Sequence, residues 1–144
     1  MEEIPYEELC RQIVQECNDA IIYSDREGII RLWNSGAEQM LGFSAGEALG
    51  QSLDIFIPEN QRARHWEGYF KVMQTGVTRY LKELLAAPAL RKDGSRLSTE
   101  FSMTIIRNAA GEIAGTAAVI RDVSARWQKD KALRARLAEL EQAV

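Results

Sequence analysis

Histidine is almost absent from this chain of 144 residues, which holds a single one, His65, and cysteine is nearly so, with only Cys10 and Cys17. One histidine excludes a two-histidine zinc site, and cysteines at this separation form no CxxC pair. A disulfide between them would require a break in the helix they share, so a stapled secreted fold is not expected. Long apolar runs are also missing: none approaches the roughly 20 residues needed to cross a bilayer. The acidic start MEEIPYEE lacks the basic and apolar regions of a secretory signal. A soluble, cytoplasmic chain with no membrane partner is therefore expected. Nor is positive charge in excess, since 18 Lys and Arg stand against 21 Asp and Glu, a net charge of −3. No basic field exists to gather phosphates, so nucleic acid is not an expected partner. Neither a glycine-rich phosphate loop nor a nucleophile elbow occurs, and the chain is not expected to be an enzyme.

What is present suits one domain with a core of its own: 46% of residues are hydrophobic and 27% charged. At the start, Tyr6, Leu9, Cys10, Ile13, Val14 and Cys17 recur at steps of three and four, which predicts an amphipathic helix within residues 1–19. Pro5 fits its first turn, and Glu7 and Glu8 suit the positive end of its dipole. The two cysteines are either small packed hydrophobes or, across a dimer, a redox pair. Two short apolar runs, Ala20 to Tyr23 and Ile29 to Trp33, flank turn residues ending in Gly28 and predict a β-hairpin. Next, Ser35 to Leu41 and Ser44 to Leu49 predict two short helices, each with its serine as N-cap, closed by Gly42 and Gly50. Pro58 opens a longer helix that ends at Gly76.

Beyond Gly76 the period changes from helical to alternating. Tyr80 to Leu90, Arg96 to Arg107 and Ile113 to Ile120 predict three strands in an antiparallel meander, with Asp93-Gly94 as a strong hairpin signal. The element order ββαααβββ predicts an α+β plan: a five-stranded antiparallel sheet with a helical insert between strands 2 and 3. Residues 20–123 form this unit, and residues 124–144 form a second flanking helix. There Ser124 is the expected cap, with Asp122 at the electropositive start. Leu133, Leu137, Leu140 and Val144 follow at steps of 4, 3 and 4, the seam spacing of a coiled coil, which predicts a homodimer through the terminal helices. A helix packed on its own domain would fit the same residues but would carry a wider apolar stripe.

His65 falls on the apolar side of the longer helix, in line with Tyr69 and Val72 and beside Trp66, Phe70 and Met73. Such an imidazole is either a core residue with one satisfied hydrogen bond or a ligand facing a cavity. On the strands, Leu85, Phe101 and Met103 read as ordinary alternating core.

The hairpin ending IIRLWN, the stretch SGAEQMLGFSAGEALGQSL, the turn RKDGS and the ending VIRDVSAR together resemble the PAS domains of bacterial sensor proteins, from about residue 20 to 124. The resemblance implies the PAS fold and a role in ligand-responsive signal transduction. It also implies that Asp122 and Ser124, in the Asp-Val-Ser triplet, start an output helix leading to a kinase or other effector domain. The segment IPENQRARHWEGY is similar to the haem-binding PAS domains of rhizobial oxygen-sensing kinases and of related oxygen-responsive phosphodiesterases. In those proteins a histidine at the matching place is the proximal haem ligand. His65 is thereby implied as the iron ligand of haem b, with Tyr69, Val72, Leu85, Phe101 and Met103 around the cofactor.

The chain departs from those sensors on the far side of the haem. Where they place an arginine that hydrogen-bonds oxygen, this chain has Leu85, and where the phosphodiesterase type has a methionine, it has Glu83. An apolar wall of Leu85, Phe101 and Met103 suits carbon monoxide or nitric oxide better than a polarised O2 adduct, and Met103 is a candidate sixth ligand. Two other readings use the same fold. One is a flavin or small-molecule sensor, without the cysteine-bearing helical motif of light-sensing relatives; the other is a cofactor-free PAS dimerisation module.

Overall fold

A computed structural model describes residues 1–78 and 83–143 of the chain. Helix α1, Tyr6–Glu16, leads into strands β1, Ala20–Asp25, and β2, Ile30–Trp33. Three helices follow: α2, Ser35–Leu41; α3, Ala45–Ala48; and α4, Glu59–Thr75. Strands β3, Leu85–Leu90, β4, Arg96–Arg107, and β5, Ile113–Asp122, then precede helix α5, Ser124–Gln142. All pairings are antiparallel and the sheet order is β2-β1-β5-β4-β3, so the expected α+β plan with its helical insert is what forms. First and last strands pair at the centre, from Ala20 opposite Ile120 to Asp25 opposite Gly115. That closure makes one sheet of the hairpin and the meander.

The core lies where the helical insert meets the sheet. Ile22, Ile30 and Leu41 are buried there with Trp33, Leu53, Met73, Leu97 and Ile120. Each large side chain so buried contributes about 1.5–3 kcal/mol. Pro88 sits inside β3, which is tolerated because β3 is an edge strand and owes no ladder donor on its outer side. The expected strand from Tyr80 is found only from Leu85; residues 80–82 lie outside the described residues. Strand β5 runs two residues further than expected, to Asp122. One element was not anticipated, a 3-10 turn over Leu53–Phe56 that leads into α4. Among the described residues, no helix is long and apolar enough to cross a membrane.

Two expected caps are corrected. Asn34, not Ser35, caps α2: its Oδ1 accepts the Ala37 N–H at 2.9 Å and also the Ile21 N–H at 2.8 Å. The wholly buried carboxamide then donates to Val14 O at 2.8 Å and Asp19 O at 3.0 Å, which a serine hydroxyl lacks the donors to do. Ser124 does not cap α5 either. Its Oγ accepts the Ser98 N–H from β4 at 2.9 Å, while the Asp122 carboxylate takes the Ser124 N–H at 2.9 Å. Ser44 does cap α3, in a capping box with Glu47.

Both terminal helices are thinly attached. Neither α1 nor α5 has a buried residue. Cys10 and Cys17 are half-buried and free. Leu133, Leu137 and Leu140 are 59%, 57% and 51% exposed on α5, and Val144 lies outside the described residues.

Candidate functional site

Between α4 and the sheet lies a cavity of about 830 Å³, within the roughly 300–1,000 Å³ of ligand sites. The facing wall carries small side chains, Ala87 and Ala89 on β3 and Ala118 on β5. On α4, a Cβ placed at Gly68 would meet no atom within 4 Å. All six residues expected to contact a cofactor line this space: His65, Tyr69 and Val72 from α4, Leu85 from β3, and Phe101 and Met103 from β4. Helical steps of four and three bring the first three to one side, and strand alternation brings Phe101 and Met103 to one face. Leu85 pairs with Phe101 across the ladder. Glu83 is exposed and does not line the cavity.

Most polar groups in the walls are already satisfied. The Tyr69 hydroxyl donates to the Asp25 carbonyl, so Ser24 Oγ, 2.9 Å away, must donate to Tyr69. Thr116 bonds the same phenol, and burial raises its pKa. The Thr99 hydroxyl donates to Ala87 O at 2.7 Å. His65 is the exception: its Nδ1 is buried without a hydrogen-bond partner, the only such side-chain atom among the described residues. Burial lowers the His65 pKa, with Asp54 opposing, so the imidazole is held neutral, the form that ligates metal. An apolar cavity of cofactor size with one unpartnered neutral imidazole in its wall fits a haem.

Strand β4 joins this site to α5. Thr99, Phe101 and Met103 line the cavity, and the alternate residues Ser98 and Glu100 reach the helix. Ser98 takes the Val123 N–H on its carbonyl at 2.9 Å and gives its own N–H to Ser124 Oγ. Glu100 pairs with Arg126 in the first turn of α5, and Asp122 with Arg91 at 3.4 Å. Asp122 and Ser124 were expected at this junction; Ser98, Glu100, Arg91 and Arg126 were not. In sequence they are ordinary strand and helix polar residues, and the strand alternation that puts Ser98 and Glu100 opposite the cavity face was the one available signal.

A family model described as PAS fold matches residues 8–123. The chain is 30% identical over 124 residues to an uncharacterised protein of Azorhizobium caulinodans, a match covering 85% of this chain and 17% of that protein. It is 44% identical over 55 residues to the sensor protein FixL of Bradyrhizobium diazoefficiens, covering 38% of this chain and 11% of that protein. The chain thus spans less than a fifth of the length of either relative. Among solved structures, the PAS domain of a protein from Colwellia psychrerythraea superposes with a TM-score of 0.73 at 21% identity, covering 83% of this chain and 98% of that one. At that identity the likeness speaks for the fold.

Proposed function

This chain belongs to the PAS fold family of signal-transduction sensor domains, and on that premise we propose that it binds haem b through His65 to sense a diatomic gas. The observation that carries the reading is the neutral imidazole of His65 in the wall of a large apolar cavity. When bound, haem supplies the iron at which a gas is taken up. His65 would hold that iron. Tyr69, fixed by Ser24, Thr116 and the Asp25 carbonyl, keeps its own hydroxyl engaged away from the cofactor.

Leu85, Phe101 and Met103 offer no hydrogen-bond donor, so this wall favours carbon monoxide or nitric oxide over oxygen. The FixL match supports haem over flavin. Output passes along β4, whose Ser98 and Glu100 hold the first turn of α5 at Ser124 and Arg126, beside Asp122. From there α5 pairs with a second copy and leads to a kinase or other effector domain. A cytoplasmic place is part of the same proposal.

Haem supplied to the purified protein is expected to give a Soret band that is lost or displaced in His65→Ala. Carbon monoxide is expected to shift that band and oxygen to bind weakly. No band in the parent, or the same band in His65→Ala, overturns the assignment.

A further inference from the structure

A metal-ligating histidine is almost always oriented through its second ring nitrogen, which donates to a carboxylate, a carbonyl or water. His65 lacks that support, since its buried Nδ1 has no partner. Its orientation must come from packing, and the packing is specific. The Trp66 ring stands edge-on to the imidazole, with centroids 4.7 Å apart at 77°. Trp66 is itself anchored on two sides. Its Nε1–H donates to Asp54 Oδ1 at 2.8 Å. Its six-membered ring covers Gly28 in the β1–β2 turn so closely that a Cβ there would lie 2.1 Å from Cη2 and 2.2 Å from Cζ3. Asp54 is in turn held in the 3-10 turn, where its N–H donates to Ser52 Oγ at 3.1 Å and its carbonyl accepts from Arg62 at 3.3 Å.

We propose that Trp66 is the positioning residue for His65: Gly28 and Asp54 lock the indole, and the indole locks the imidazole proposed as the iron ligand. The inference rests on that assignment for its purpose, but the lock itself can be read without haem. His65 is the only histidine, so the protein gives one set of imidazole NMR signals.

Gly28→Ala places a methyl where the indole lies. Gly94→Ala is its control, because Gly94 shares the positive φ, +87° against +80°, yet a Cβ there meets nothing within 4 Å. Asp54→Ala removes the acceptor without touching the backbone, and Asp54→Asn retains one. Gly28→Ala and Asp54→Ala are expected to move the imidazole signals and to weaken haem uptake about tenfold or more. Gly94→Ala and Asp54→Asn are expected to stay within about twofold of the parent. Should Gly28→Ala fail to fold, Asp54→Ala decides. Parent-like imidazole signals and haem uptake in the folded disruptive variants overturn the proposal. If the parent takes up no haem, the iron assignment fails, and the imidazole signals alone decide whether Trp66 positions His65.

Discussion

Helices α4 and α5 are of similar length, 17 and 19 residues, and are held in opposite ways. Along α4, attachments recur at nearly every turn: Arg62 to Ile57 O, Trp66 to Asp54, Tyr69 to Ser24, and Arg26 to the Met73 carbonyl. Helix α5 is tied at Ser124 and Arg126, and beyond them its leucines stand in solvent. Each helix is incomplete in its own currency. The anchored one sets a neutral imidazole in a cavity wall, and the free one carries an apolar stripe with no partner among the described residues. A sensor needs both kinds of vacancy, a rigid wall that can recognise a ligand and a loosely held element whose position can change.

The contrast breaks most visibly at α5. Leu137→Ala is expected to weaken the proposed self-association about 100-fold or more, because a symmetric pair loses most of two leucine side chains, each worth about 1.5 kcal/mol at the low end. Sedimentation equilibrium reads this, and the urea midpoint of the core should not move. Unchanged association would mean that the stripe does not pair copies of this chain. A smaller effect of the opposite kind is expected on α4. Tyr69→Phe should cost about 1–3 kcal/mol in urea unfolding, since it strands the Ser24 and Thr116 hydroxyls and the Asp25 carbonyl. Association should be untouched. A Tyr69→Phe protein as stable as the parent would remove the case for α4 as a rigidly anchored wall.

Much of this arrangement was legible in the residues. The bounds of β4 coincide with the alternating stretch Arg96 to Arg107, ended on one side by the Asp93-Gly94 turn. Helical periodicity put His65, Tyr69 and Val72 on one side of α4, and the resemblance to haem-binding PAS domains supplied Leu85, Phe101 and Met103 as the facing wall; all six line the cavity. Local ambiguity explains the errors. Asn34 and Ser35 are adjacent and both cap well, and only the tertiary packing of α1 against Asn34 decides between them. The 3-10 turn at Leu53–Phe56 has an apolar run too short to show a period. Gly28, Asp54 and Trp66 meet from three separate segments, so no spacing rule could have joined them. Glu100 and Arg126 were hidden for another reason: charged residues on a strand and a helix look like solvated surface until their partner is seen.

The central claim is that the vacancy at His65 and the vacancy on α5 belong to one switch. The most direct test supplies haem and measures the self-association constant with and without carbon monoxide, for the parent and for His65→Ala. The account predicts a change of about fivefold or more in the parent, the scale of ordinary coupling between sites, and none in His65→Ala. An association constant indifferent to the gas in a parent whose spectrum responds to it would contradict the account.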